Sequence, residues 1–409
     1  MKKIDVIYNG WGKFFKYGVL AQAGSSLVFE YTQEAIESGI NLSPYLMPLS
    51  SDTFRDFPSY QEFLPGFIAD ALPDGWGRLL TDRYLLKTYG IRQEEVTALQ
   101  RLAIVGNRAI GALSFEPSDK LRDYPVDLNL AQLAVYVEDV ATDTDVDALS
   151  KLLVVGGSPQ GARPKALVRY HKQANMMSTH TMAEGDDWMI KFPAASEHPE
   201  VCAIENCYAE LARICGLNIP ATKFFDLGNK KAAFGIERFD RFNGMRVPVL
   251  TLAGALNLDF RISNFDYRDF IRFTAFMAND VRQKEEAFLR CLFNVVFNNR
   301  DDHTKNFSFR MNENKLWELS PCYDLTFCVG PNGYHQMAIM GEAFSPNRQS
   351  IELLSKDAQI GDDFLEASLN KVIDAALEFR RHALNYPIIR KKTISEIDQL
   401  IQRNIQLLR

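Results

Sequence analysis

With 409 residues, 46% of them hydrophobic and 24% charged, the chain has material for two or three soluble globular domains with ample core. A net charge of −6 argues against stand-alone nucleic-acid binding, which relies on a basic footprint, so any DNA contact is expected to come through a partner. The start, Met1-Lys2-Lys3-Ile4-Asp5, lacks the apolar stretch expected of a signal peptide, and no 18-residue apolar segment occurs. Cys202, Cys207, Cys215, Cys291, Cys322 and Cys328 form no Cys-x-x-Cys pair, so a cytoplasmic protein without membrane contact, zinc site or disulfide framework is expected.

Residues 1 to about 118 alternate short strand-like and helical pieces. Within them Phe63 to Arg78 is dense in Pro and Gly and gives way to a helical stretch from Leu79 to Lys87, which reads as a turn and helix start in a structural subdomain. Residues 119 to 150 carry many acids and one helical stretch and read as a connector. Lys151-Leu152-Leu153-Val154-Val155 reads as a short apolar strand, and Gly156-Gly157-Ser158-Pro159-Gln160-Gly161-Ala162-Arg163-Pro164-Lys165 follows it. Glycines let a backbone approach phosphate oxygens closely, while Arg163 and Lys165 supply positive charge; an ordinary hairpin turn explains the same run nearly as well. The Gly-Lys-Ser/Thr ending of a Walker A loop is absent.

After an exposed polar segment from His171 to Asp187, Trp188-Met189-Ile190-Lys191-Phe192-Pro193 is a strand with one lysine among apolar neighbours. Such a lysine either snorkels from an edge strand or pairs with phosphates and a helix carboxylate, and its serial position favours the second. Val201, Ile204, Tyr208, Leu211 and Cys215 form a helical stripe. Glu205 lies beside that stripe as a partner for Lys191, with Glu210 a rival. Ala232 to Ile236 is an apolar strand running into Glu237-Arg238-Phe239-Asp240-Arg241. Long helical periodicity follows over Ile271 to Phe297 and Phe364 to Leu408, and the cluster Arg380-Arg381 with Arg390-Lys391-Lys392 reads as a solvated helix face.

Between the two helical regions lies Leu292 to Asp324. An apolar run ends at Phe297, and nine polar residues follow, Asn298-Asn299-Arg300-Asp301-Asp302-His303-Thr304-Lys305-Asn306, which read as an exposed loop. Phe307-Ser308-Phe309 and Leu316-Trp317-Glu318-Leu319 alternate as the strands of a hairpin, which leads to Asp324. Asp301 and Asn306 keep the Asp-x-x-x-x-Asn spacing of a protein-kinase catalytic loop, and Asp324 follows a hairpin as the second metal-binding acid does. The spacing alone is common. A glycine-rich loop, a strand lysine, a helix glutamate and then the acid pair is the serial order of a kinase.

Together these motifs resemble the HipA-like serine/threonine kinases, toxins of bacterial toxin–antitoxin modules. The likeness runs from Leu72-Pro73-Asp74-Gly75-Trp76-Gly77 through Gly161 to Lys165, Ile190 to Pro193, Gly216 to Pro220, Glu237 to Arg241 and Asp301 to Asn306, and ends at Tyr323-Asp324-Leu325. It implies an α+β, bilobal kinase-like fold related to phosphoinositide kinases, with an N-terminal α/β subdomain (residues 1–120), a kinase N-lobe (121–246) and a mostly helical C-lobe (247–409). It implies ATP and magnesium, with Asp301 as catalytic base, Lys305 stabilising the transferred phosphoryl group, and Asn306 and Asp324 as metal ligands. Lys191, His303, Tyr323, the loop Gln160, Gly161, Ala162, Arg163 and Lys165, and the hinge Glu237, Arg238 and Phe239 would hold the nucleotide. Ser158 would be an autophosphorylation site. A HipB-like helix-turn-helix antitoxin and a protein substrate such as an aminoacyl-tRNA synthetase are the implied partners. Asp302 departs from one well-known member's glycine and adds an acid beside the base. A nucleotide-binding co-repressor scaffold and a small-molecule or lipid kinase on the same fold stand as alternatives.

Overall fold

Along Lys3–Gly10 (β1) apolar and polar residues alternate, the period that turns one face of a strand inward: Ile4, Val6 and Tyr8 are buried while Asp5 and Asn9 stay partly exposed. β1 pairs antiparallel with Lys13–Ala23 (β2), Ser26–Tyr31 (β3) extends the sheet beyond β2, and Leu113–Glu116 (β4) closes its other side. This computed structural model describes residues 1–24, 26–119, 130–140, 146–156, 161–180 and 183–409. They gather into two compact units: Met1–Glu197 with Phe225–Leu258 and Arg310–Lys315, and His198–Phe224 with Asp259–Phe309 and Leu316–Arg409.

The first unit holds a second, five-stranded sheet built from Lys165–His171 (β5), Met176–Ser178 (β6), Asp186–Lys191 (β7), Thr222–Gly228 (β8) and Lys231–Glu237 (β9), in the order β6-β5-β7-β9-β8. Val168, Trp188 and Ile190 on this sheet meet Leu80, Leu133 and Leu152 from the helices Gly75–Tyr89, Leu130–Val140 and Val146–Gly156. Burying such side chains stabilises by about 1.5–3 kcal/mol each. Lys151 to Val155 is therefore helical, not a strand. Leu149, Leu152 and Leu153 are buried at i, i+3 and i+4, a period that a five-residue window starting at Lys151 is too short to display. The expected connector likewise contributes core, through Leu133, Val137 and Leu149.

The second unit is dominated by helices, among them Glu200–Cys215, Tyr267–Ala278, Val281–Val296, Asp362–Leu377 and Lys391–Leu408. The long periodic run over Ile271 to Phe297 is two helices. Asn279 in the left-handed conformation (φ 48°) ends the first, and the Asp280 carboxylate caps the second by accepting from Arg282 N–H at 2.9 Å. Ile394, Ile397, Ile401 and Ile405 form the buried stripe of the last helix. Arg390 is not simply solvated, because its Nε donates to buried Glu200 at 2.9 Å and its backbone N–H to the same carboxylate at 2.8 Å. Burial opposes ionisation of Glu200, but Arg390 and Thr393 outweigh it and hold the carboxyl below its usual range. Phe265–Asp266 pairs in parallel with Met337–Ala338, which brings residues 335–336 alongside the segment after Phe297.

All six cysteines are free thiols; five are buried and Cys328 is partly exposed. Burial pushes the thiols of Cys215 and Cys322 up to about 12, as expected of small core residues. Among the described residues, no helix is long and apolar enough to cross a membrane.

Candidate functional site

The segment expected as an exposed polar loop folds inward instead. Asn298, directly after the helix Val281–Val296 and Phe297, turns the chain with φ +53° and is 1% exposed; Asn299 is 2% exposed. Polarity alone did not reveal this, because Asn298, Asn299 and Arg300 find hydrogen-bond partners within the unit. Asn298 Nδ2 donates to Cys328 O at 3.0 Å, Asn299 Nδ2 to Asn294 Oδ1 at 2.9 Å and Arg300 Nε to Asn298 Oδ1 at 3.1 Å.

Asp302 is the deepest of these anchors. Its Oδ2 accepts from the Tyr267 hydroxyl at 2.9 Å and lies 2.8 Å from His335 Nδ1, while Oδ1 accepts from the Gln336 backbone N–H at 2.7 Å. Burial, reinforced by the charge on Asp302, pushes the Tyr267 hydroxyl well above its usual range and keeps it a donor. The acid that looked like surplus charge in the sequence thus fastens the loop from beneath. Asp301, its neighbour, points the other way with a side chain 47% exposed. Its Oδ1 accepts from Gln336 Nε2 at 3.0 Å and lies 3.9 Å from His303 Nε2.

Asn306 closes the loop by donating from Nδ2 to the Asp301 carbonyl at 2.6 Å, and the Tyr323 hydroxyl donates to Lys305 O at 2.8 Å. Lys305 Nζ lies 4.3 Å from the centre of the Phe260 ring, which also meets the His303 ring at 5.4 Å. A cation over an aromatic face is attracted and held. Asp324 takes φ +54°, a conformation that costs a non-glycine residue energy and is concentrated at functional sites. Asn299, Asp302, Asn306, Tyr323 and Asp324 line one small cavity. Because the Asn306 amide nitrogen is used in closing the loop, its oxygen is the atom it has to offer a cation. An amide oxygen beside the Asp324 carboxylate is the hard-oxygen donor set that suits magnesium. His303 Nδ1 is buried with no hydrogen-bond partner among the described residues, as fits a side chain waiting for a polar ligand.

In the first unit, Lys165 and Lys191 sit directly opposite each other on β5 and β7, and they are 5% and 6% exposed. Residues paired in this way share one face of the sheet, so both lysines rise from the same side of it. A Cβ at Gly161 would fall 2.1 Å from Lys165 Nζ, so a glycine there leaves room for the ammonium group. Ala162 follows at the foot of the same loop. Arg163 is engaged differently: its Nε and Nη2 fork onto Glu197 at 3.0 and 2.9 Å. Burial works against the Glu197 charge, yet the guanidinium holds that carboxyl below its usual range. Glu237 accepts from Lys172 Nζ at 2.8 Å, and Arg238 donates to Asp240 at 2.8 and 2.7 Å. Both hinge side chains thus have protein partners, and the Arg238 backbone N–H is also engaged, donating to Asp187 O at 2.8 Å. Ser158 and Gln160 lie outside the described residues.

Several contributors were not legible in the sequence. Gln336, His335 and Tyr267 reach Asp301 and Asp302 only through long-range pairing, and no spacing signals them. The Pro/Gly-rich stretch, read as a turn, clamps the foot of the glycine-rich loop: Asp74 Oδ1 accepts from Gly161 N–H, and Trp76 N–H donates to Gly161 O at 3.1 Å. Gly75 between them has φ +39°, and a Cβ there would lie 2.7 Å from both Ala162 Cα and Gly161 O. Gly75→Ala is expected to destabilise the protein by about 1–3 kcal/mol, measured by denaturant unfolding, because backbone rather than a flexible side chain must give way.

Residues 157–382 match the HipA-like C-terminal domain, and residues 5–116 match the HipA N-terminal domain. The chain belongs to the HipA family. It is similar to the serine/threonine-protein kinase toxin HipA of Shewanella oneidensis, 25% identical over 348 residues that span 78% of this chain and 74% of that protein. A putative kinase of Haemophilus influenzae is 25% identical over 236 residues, spanning 51% of this chain and 63% of that protein. The solved Shewanella oneidensis HipA, in a complex with HipB and operator DNA, superposes with a TM-score of 0.71 at 18% identity, covering 99% of this chain and 96% of that one. The α+β kinase-like HipA fold expected from the motifs is thereby shown. The two named relatives are thus a serine/threonine-protein kinase toxin and a putative kinase.

Proposed function

We propose that this chain is an ATP-dependent serine/threonine protein kinase acting as the toxin of a type II toxin–antitoxin system, with a translation component such as an aminoacyl-tRNA synthetase as its substrate. The observation that carries this reading is the Asp301 carboxylate, partly exposed above a loop that Asn306 closes and Asp302 anchors. Asp301 takes the proton of the substrate hydroxyl as that oxygen forms its bond to the γ-phosphorus and the bond to the departing ADP oxygen breaks. Asn306 and Asp324 would hold magnesium, which would offset the charge of the phosphates when bound. Lys165 and Lys191 hold phosphate oxygens, and Gln160 to Ala162 lie over the nucleotide. The backbone of Glu237 to Phe239 meets the adenine, with His303 against the nucleotide. Lys305 stabilises charge on the transferred group, since this chemistry is mostly positioning and electrostatics. Tyr323 supports the nucleotide site by fixing the Lys305 carbonyl.

The division into an N-terminal subdomain (1–120), a kinase N-lobe (121–246) and a C-lobe (247–409) belongs to the same reading, as does a cytoplasmic location. The partner is a HipB-like helix-turn-helix antitoxin; a chain of charge −6 sits on DNA through such a basic partner rather than alone. Radiolabelled ATP incubated with purified protein in a lysate of translation components is expected to label a discrete protein, and induction in cells to slow growth until the antitoxin is supplied. No transfer to any fraction would overturn the kinase reading, and normal growth under strong induction of active kinase the toxin reading. The kinase also modifies Ser158. A phosphate there adds about −1.5 to −2 charges to a loop that must approach a triphosphate, so it inactivates by repulsion. Phosphopeptide mapping is expected to find Ser158 modified in the wild type and unmodified in Asp301→Asn.

A further inference from the structure

We infer that Gln336 is a positioning residue for phosphoryl transfer: its side-chain amide holds one oxygen of Asp301 so that the other is presented to the substrate hydroxyl. The inference rests on the reading of Asp301 as the base. An aspartate on a partly exposed loop has two free torsions, and a general base works only when its lone pair points at the proton. Gln336 Nε2 donates to Asp301 Oδ1 at 3.0 Å, which fixes the plane of the carboxylate and leaves Oδ2 for the substrate.

The donor itself is held still. The backbone N–H of Gln336 bonds Asp302 Oδ1 at 2.7 Å, so one residue grips two consecutive acids, one through its main chain and one through its side chain. On one side of it, His335 is buried, with Nδ1 against Asp302 at 2.8 Å and its backbone N–H on Ala343 O at 2.8 Å. On the other side, Met337 and Ala338 are paired in register with Phe265 and Asp266. A site is only as well defined as the shell that supports it, and this shell is anchored at three successive points. Glutamine also supplies its bond without a charge. A lysine or arginine there would bind the carboxylate as an ion pair and compete with the substrate proton for it.

Gln336→Met keeps the length and removes the donor. It is expected to lower kcat by about 10–100-fold, the usual cost of losing a supporting hydrogen bond or of a small misplacement, with KM for ATP essentially unchanged. Gln336→Glu, with no amide donor and with a like charge beside Asp301, is expected to behave at least as badly and provides a second variant should the first fold poorly. Because Gln336 acts through Asp301, the double variant with Asp301→Asn is expected to be no slower than Asp301→Asn alone. Wild-type kcat in either Gln336 variant, or a further loss of the same size in the Asp301→Asn background, would overturn the inference and leave the base intact. Wild-type transfer by Asp301→Asn alone would instead remove the base itself.

Discussion

Asp301→Asn is expected to lose phosphoryl transfer by roughly 10²–10⁴-fold, the range a positioned general base contributes, while binding nucleotide almost as the wild type does. The substitution is nearly isosteric. The loop does not depend on the carboxylate for its shape: Asn306 closes it through the Asp301 main-chain carbonyl, and Asp302 anchors it through Tyr267, His335 and Gln336. An asparagine oxygen can also still accept from Gln336. What is lost is the ability to take a proton. Asp324→Ala is the contrasting change: it removes a carboxylate from the cavity shared with Asn306 and is expected to weaken magnesium-dependent ATP binding itself. Equilibrium binding of a fluorescent ATP analogue with and without magnesium, beside single-turnover transfer, separates the two effects. Full transfer by Asp301→Asn would show that another group takes the proton.

Asp240→Ala is expected to destabilise the protein by about 3–5 kcal/mol, the cost of leaving buried cations without their counter-charge. Arg238 bonds the Asp240 carboxylate at 2.8 and 2.7 Å, Arg241 adds a bond at 2.7 Å, and the Gly111 backbone N–H donates to it at 2.9 Å. Burial alone would raise the pKa of Asp240, but the two guanidinium groups hold it far below the usual carboxylate range. A depressed folded-state value contributes stability that is complete above the unfolded value of about 3.9 and is lost as pH falls below it toward the folded value. Denaturant unfolding is therefore expected to show the full difference between wild type and Asp240→Ala at pH 7 and pH 5. The difference should shrink near pH 3. Equal stability of the two proteins at pH 7 would mean that Arg238 and Arg241 find other acceptors.

The same cluster shows why sequence carried the reading only part of the way. Glu237 to Arg241 follows an apolar strand and matches a hinge motif, yet its charges are largely spent on one another and on Lys172, and nothing in the spacing says so. Strands and helices with a full period were legible: Trp188 to Lys191 and the stripe Val201 to Cys215 lie where the alternation and the 3.6-residue repeat put them. Lys151 to Val155 was not, because five apolar residues fit a strand and a buried helix equally well. The acid, amide and second acid of the candidate site were visible as spacing. Their support was invisible, since Gln336, His335 and Tyr267 lie at least 30 residues away along the chain from Asp301 and Asp302 and come close only through the fold. Arg163 is the converse case, a cation well placed in sequence for phosphate but committed in space to Glu197.

The cysteines give the molecule a built-in chemical handle. With five thiols buried, and with Cys215 and Cys322 pushed far from the thiolate form, Cys328 is the one cysteine that is partly exposed, and its sulfur accepts from the Gly330 N–H at 3.4 Å. That residue's backbone is bound on both sides to the loop that carries Asp301, donating from its N–H to Asn298 O at 3.2 Å and accepting at its carbonyl from Arg300 N–H at 3.2 Å. A fluorophore attached there would be tied through this backbone to the loop, and would report its movements as substrates come and go.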